Sequence, residues 1–299
     1  WLLSKEIKIK GDWSQAKPNL EPGGWAFQYN NDHYPDVDDT ALIGMLLHRY
    51  NTTNKQINVS KSIERTRLWI KGMQSKNGGW GSFDIDNNFN YLNYIPFADH
   101  GALLDPPTAD VSARCLSFLL QLNDPRDHLE INKALKYLLS EQEKNGSWFG
   151  RWGTNYIYGT WSVLSAIKLI DFPKKKEIFE KASRFIKSRQ RPDGGWGEDG
   201  KSYEKSFKSS KVKFSTPSQT AWAVMSLIAS GEGQSQESIK GIEYLLKKNS
   251  NDENFYTAVG FPRVFYLKYH GYSDYFPLLA ISKFRNLSVS NSKIISYGV

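Results

Sequence analysis

Apolar positions along the chain fall into stretches of two kinds, and the two kinds alternate. One carries an apolar stripe at helical spacing opposite a charged face: Ser60 to Gln74, Leu129 to Gln142, Lys176 to Gln190 and Glu237 to Asn249. The other is apolar almost all round: Ala41 to Leu47, Val111 to Leu122, Thr160 to Ile170 and Gln219 to Ala229. A helix that is apolar on every side must be buried, and an amphipathic one covers it, so the pattern predicts inner helices each paired with an outer one. No sustained period-2 alternation competes with that reading, and strand signals are weak. Thr216-Pro217-Ser218-Gln219 sets the start of the last inner helix, with Thr as N-cap, Pro at N1 and Gln at N3 of a capping box.

The outer stretches share an ending. Leu68 to Gly79-Trp80, Leu135 to Ser147-Trp148 and Phe185 to Gly195-Trp196 each run through a Gln (Gln74, Gln142, Gln190) into a Gly-containing turn and a Trp, and a shortened copy ends at Gly24-Trp25. The pattern has a mechanism: Gly stops the helix at positive φ, the Gln amide reaches a neighbouring backbone, and the indole covers the turn. A fifth copy starts at Gly241-Ile242-Glu243-Tyr244-Leu245-Leu246 and decays through Lys247-Lys248-Asn249 without the Gln or the Gly-Trp. Repeated helix pairs of this kind predict an all-α fold, an α/α barrel or toroid of inner and outer helices. An open solenoid would keep its repeats more uniform in length.

Composition narrows the class. The 299 residues allow two ordinary domains or one large one. A hydrophobic content of 39% with 23 Gly supports a sizeable core and excludes global disorder. The single Cys115 excludes a disulfide framework and a cysteine-rich zinc site. No apolar run is long enough to be a spanning helix. The chain opens Trp-Leu-Leu with neither Met nor a signal-peptide pattern, which reads as a fragment or a processed piece. Net charge is +8, which suits anionic headgroups or nucleic acid, although Lys174-Lys175-Lys176 and the run from Lys205 to Lys213 read as solvated surface. Aromatic residues reach 14%, and their faces serve equally for stacking bases or for stabilising carbocations.

The chemistry concentrates in Tyr34-Pro35-Asp36-Val37-Asp38-Asp39-Thr40-Ala41, directly before an apolar helix. Three carboxylates within four residues repel one another, so at least one should hold its proton near neutrality and titrate as part of the cluster. A helix N-terminus opposes this by favouring ionised carboxylates by about 0.3–1 kcal/mol. Simple N-capping by Asp36 is the plain structural alternative. A calcium loop is not, since the glycine and the distal Glu it requires are missing.

These residues resemble the squalene–hopene cyclases, the class II triterpene cyclases. The resemblance rests on Gly23-Gly24-Trp25-Ala26-Phe27-Gln28-Tyr29, the Asp-Val-Asp-Asp-Thr-Ala motif and the Gln-to-Trp turns. Further matches are Ile95-Pro96-Phe97, Asp105-Pro106-Pro107, Trp148 to Thr160, Ser215 to Trp222 and Gly260 to Leu267, in family order. The resemblance implies that residues 1–299 form one α/α-barrel catalytic domain, the C-terminal half of a two-barrel enzyme. It implies Asp38 as the acid that protonates a terminal alkene, with Asp36 and Asp39 in support. Asp110, Arg114 and Tyr158 would tune the acid, and Phe27, Phe83, Trp152, Phe261, Phe265, Tyr269 and Tyr272 would bind substrate or carbocation. Trp80, Trp148 and Trp196 are expected to stay structural. No metal and no cofactor are expected. The implied partners are a hydrophobic isoprenoid and a membrane surface, met as a peripheral protein on the cytoplasmic face largely through the missing half. Nucleic acid is not among them, and a homodimer is left open.

The sequence departs from the family at three places. Phe83 stands where hopene-forming members usually carry Tyr, and Arg114 stands where many carry a His that hydrogen-bonds the acid. Either Arg114 pairs with Asp36, Asp39 or Asp110 and leaves Asp38 protonated, or acid strength is tuned differently. The degraded fifth repeat is the third departure. Squalene is the leading substrate, and a partly cyclic prenyl chain such as tetraprenyl-β-curcumene is the runner-up. Protein prenyltransferase subunits share Gly-Trp turns but need zinc, and neither Cys115 nor His100 has an obvious ligand set. An inverting α/α glycosidase would hold two carboxylates about 6.5–9.5 Å apart, which clustered Asp residues do not suggest. A non-catalytic, membrane-associated helical module is the remaining alternative if the chain is parted from its other half.

Overall fold

The computed structural model describes residues 1–54, 56–96, 103–205, 212–247 and 253–289. Phe97 and His100 of the motifs above, the middle of the Lys205 to Lys213 run, and the tail of the fifth repeat at Lys248 and Asn249 lie outside the described residues. The chain separates into two compact units, Trp1–Ser140 and Glu141–Val299.

In the first unit, inner helix α1 (Val37–Thr53) packs on outer helix α2 (Ser60–Gly72) and on the next inner helix, α3 (Ala109–Leu122), which packs in turn on α4 (His128–Ser140). The second unit repeats the scheme. Inner helices α5 (Tyr156–Ile167) and α8 (Pro217–Ala229) pack together, with α6 (Lys175–Lys187) and α9 (Gln236–Lys247) outside them; a short α7 (Ser202–Lys205) lies between α6 and α8 in the chain. A further helix, α10 (Tyr272–Val289), packs along α8. Every residue of α5 is buried, as a helix apolar on all sides requires.

The repeat turns are built as the sequence predicts, with hydroxyls added. Gly78, Gly146 and Gly194 hold φ of 95°, 95° and 85°. Gln74 Nε2 donates to the Gly78 and Glu130 carbonyls, Gln142 Nε2 to those of Gly146 and Ile178, and Gln190 Nε2 to those of Gly194 and Glu237. Each amide therefore ties its own turn to the first residues of the next outer helix. The Trp that follows donates its backbone N–H to a hydroxyl in the first turns of an inner helix: Trp25 to Thr40, Trp80 to Ser112, Trp148 to Thr160 and Trp196 to Thr220. These four indoles are buried.

Four details differ from the sequence reading. The three Gln residues lie in the turns, two or three residues beyond the helix ends at Gly72, Ser140 and Lys187. Helix α1 begins at Val37, so the Asp motif forms its cap and first turn instead of preceding it. Thr216 caps α8 by accepting from the Gln219 N–H, but the Gln219 side chain does not reach back to the cap N–H. Its amide instead donates to the Thr154 and Glu198 carbonyls. Finally, short strands do occur: β1 (Trp25–Ala26) pairs with β2 (Pro35–Asp36), and β3 (Ala258–Phe261) with β4 (Phe265–Leu267), both antiparallel.

Candidate active site

The β1–β2 pair places Asp36 opposite Trp25 and ends where α1 begins. Asp36 is the N-cap, its Oδ1 accepting the Asp39 N–H at 2.8 Å. The capping role and membership of the cluster thus fall on the same residue. Burial, then the charges of Asp39 and Asp38, push the Asp36 carboxyl well above the ordinary carboxylate range, against the stabilising Asp39 N–H. Burial and the Asp38 charge raise Asp39 to about 6.

Helix α3 brings the counter-charge. Arg114 Nε donates to Asp38 Oδ1 at 3.1 Å, with the guanidinium nearly buried and the Asp38 side chain 28% exposed. Arg114 thus meets Asp38 directly, a partner outside the three named above, which agrees with the second alternative, that acid strength is tuned differently. Burial still wins: Asp38 sits above its ordinary range, lowered by Arg114 and raised again by Asp110. Asp110 is itself buried one turn before Arg114 and accepts the Thr108 hydroxyl at 2.6 Å. Cys115 is buried beside this pair, its thiol pushed up by burial and by the Asp38 charge.

The arrangement suits a strong general acid. Desolvation favours the protonated form of Asp38, and the adjacent guanidinium stabilises the carboxylate that forms once the proton leaves.

Asp105 is a residue that sequence reasoning missed, quoted above only as part of a motif. Its carboxylate accepts three consecutive backbone N–H groups, from Ser82 at 3.0 Å, Phe83 at 2.6 Å and Asp84 at 2.8 Å. The Ser82 carbonyl in turn accepts the Val37 N–H at 2.8 Å. Phe83 is half-buried in that loop, and Phe27 is exposed just past β1.

The remaining expected residues lie in the second unit. Trp152, Phe261 and Phe265 come together at the β3–β4 hairpin, with the Trp152 carbonyl accepting the Val259 N–H and the Phe261 and Phe265 rings 5.4 Å apart. An unforeseen cation joins them: the Arg151 guanidinium lies 4.2 Å from the Trp152 ring centre and 5.6 Å from that of Phe261. Tyr158 packs in α5 against Trp161 and Trp222, and Tyr272 against Trp222, Phe276 and Tyr269.

Residues 1–286 match the family profile described as the squalene-hopene cyclase C-terminal domain. The chain belongs to that family. It is 50% identical to the squalene–hopene cyclase of Zymomonas mobilis over the whole of this chain and 46% of that protein. It is 44% identical to that of Alicyclobacillus acidocaldarius over 95% of this chain and 46% of that one. The chain spans about half the length of these curated relatives. Among solved structures, the ent-copalyl diphosphate synthase from Streptomyces platensis overlays with a TM-score of 0.59 at 17% identity, covering 91% of this chain and 45% of that one. The type II terpene cyclase MstE from Scytonema overlays with 0.59 at 16% identity, covering 89% of this chain and 78% of that one. At those identities the overlays establish the fold, the α/α barrel of type II terpene cyclases.

Proposed function

We propose that this chain is the acid-bearing barrel of a class II terpene cyclase of the squalene–hopene type, one domain of a two-barrel enzyme. The observation that carries the reading is Asp38, desolvated yet 3.1 Å from the Arg114 guanidinium, at the start of the helix that also holds Asp36 and Asp39. An isolated alkene is a very weak base, so its proton donor must be a neutral acid with a stabilised conjugate base. The Asp38 carboxyl proton goes to the terminal alkene carbon, the π pair forms the new C–H bond, and a tertiary cation remains. Successive alkenes close rings onto that cation until a proton is lost or water adds. Aromatic faces stabilise such charge by about 0.5–2 kcal/mol each without offering a nucleophile. Phe27, Phe83, Trp152, Phe261, Phe265, Tyr269 and Tyr272 supply them in this reading, with Tyr158 tuning the acid.

The substrate is a hydrophobic isoprenoid, squalene first and tetraprenyl-β-curcumene second. The enzyme would meet a membrane surface peripherally, on the cytoplasmic face. The net charge of +8 and the exposed rings of Tyr91 and Tyr94 support that contact. No helix among the described residues is long and apolar enough to cross a membrane. The test uses the full-length protein containing this chain, incubated with each substrate and analysed for cyclic products. Cyclic triterpene from squalene is expected, and Asp38→Asn should lower its formation by at least about 10²–10⁴-fold. No cyclic product from either substrate, or an active Asp38→Asn, would overturn the reading.

A further inference from the structure

The start of the acid helix is held by more than its own cap. Among the described contacts, the Val37 N–H, the first donor of α1, is bound by the Ser82 carbonyl, and Ser82 lies in a loop with no regular structure of its own. Three successive N–H groups of that loop, from Ser82, Phe83 and Asp84, converge on the single carboxylate of Asp105. Asp105 is fixed from behind, its own N–H bound to the Asn87 carbonyl at 3.1 Å, while the Asn87 amide returns to Asp84. Gly81 completes the fit, since a Cβ there would stand 2.8 Å from an Asp105 carboxylate oxygen. An anion bound by three backbone donors is a stiff, charge-assisted joint.

We propose that Asp105 is a positioning residue of the acid cluster, setting the start of α1, and with it Asp36 and Asp38, through the Ser82–Asp84 loop. The role rests on the cyclase reading above for its kinetic consequence, but its structural core does not. The chain of bonds runs Asp105 to Ser82 N–H, Ser82 carbonyl to Val37 N–H, Val37 to the caps and carboxylates on either side. No side chain other than that of Asp105 is needed to transmit it.

Asp105 also acts through its charge, which adds to the effects that raise Asp36. The groups of the cluster and those facing it are Asp36 at the cap of α1, Asp38 and Asp39 on α1, Asp110, Arg114 and Cys115 on α3, and Asp84 on the loop side of Asp105. Removing the Asp105 charge lowers Asp36, so the cluster loses its proton at lower pH.

The test compares Asp105→Asn and Asp105→Glu in the full-length protein. Asn keeps one acceptor oxygen but turns an amide toward a backbone donor and loses the charge. Glu keeps the charge and misplaces it by one methylene. The first readout is hydrogen exchange of peptides spanning 80–87 and 35–42, which needs no substrate. Asp105→Asn is expected to speed exchange in both, and fast exchange confined to 80–87 would overturn the coupling.

The second readout is the kinetics with squalene. For Asp105→Asn, kcat is expected to fall by tens of fold, up to about 100-fold, with KM changed less than about twofold. The alkaline limb of its pH–rate profile should move to lower pH. For Asp105→Glu the limb should stay nearer the parent's while kcat still falls. An unchanged kcat and profile in both variants would overturn the proposal. If the parent protein turns over no substrate, the cyclase reading fails, and the exchange result still decides whether Asp105 positions the helix. Should Asp105→Asn fail to fold, Asp105→Glu carries both readouts.

Discussion

A guanidinium beside a proton donor weakens the donor's hold on its proton, and burial strengthens it. At Asp38 these two effects act on one carboxyl, with burial the larger. Replacing Arg114 by His tests the balance. Above its own titration range an imidazole is neutral, so the lowering supplied by Arg114 disappears and Asp38 holds its proton to higher pH. The alkaline limb of the full enzyme's pH–rate profile should therefore move upward, while the maximal rate falls because the conjugate base has lost its partner. An unchanged limb with an unchanged rate would place Arg114 outside the acid network. The three Asp residues were legible in the sequence because adjacency along the chain guarantees proximity. Arg114 was legible only as a departure from a family pattern. Its pairing with Asp38 depends on how α1 packs on α3, which no spacing encodes. Asp105 was hidden for the same reason: its three donors lie more than 20 residues away, in a loop without periodicity.

Elements were easier to read than residues, because helix burial has a period and turns have a chemistry. The alternation of apolar and amphipathic stretches placed the paired inner and outer helices within a few residues. Their ends were harder, since Gln74, Gln142 and Gln190 are good helix formers that the structure instead uses as braces in the turns. The β3–β4 hairpin escaped because its strands are four and three residues long with a bulge between Val259 and Phe261, too short for alternation to show. The turns themselves support a sharp test. A Cβ at Gly78 would stand 2.5 Å from the Lys133 carbonyl oxygen, at a φ of 95°. Gly231, at a φ of 84°, has nothing within 4 Å of its would-be Cβ. Gly231→Ala bears only the left-handed backbone penalty, about 1–2 kcal/mol. Gly78→Ala adds a clash with backbone that cannot yield, which should bring it to about 3 kcal/mol or more. Urea midpoints of the two variants measured side by side check the order, and equal losses would show that the turn relaxes away from α4.

At the scale of the whole molecule, catalysis needs a cavity that keeps water from a carbocation, and the chain spans 46% of the length of its squalene–hopene cyclase relatives. The acid helix itself carries the sign of an unmet surface. Leu42 and Leu46, one and two turns beyond Asp38, are 45% and 52% exposed on a helix that the sequence marks as inner. Phe27, Tyr29 and Tyr34 in the segment leading to that helix are exposed as well. A contiguous exposed apolar patch larger than a few hundred Å² is rare on a soluble monomer and marks a surface for association. Water at that face would solvate the carboxylates, weaken the desolvation that raises Asp38, and quench any cation that formed. The 299-residue chain on its own should therefore fold, self-associate in a concentration-dependent way, and yield no cyclic product from detergent-dispersed squalene. Sedimentation velocity over a dilution series and product analysis over long incubations measure the two halves of this expectation. Multiple turnovers by the isolated chain would mean that these residues close a dry cavity unaided, and the exposed face of α1 would then need another explanation.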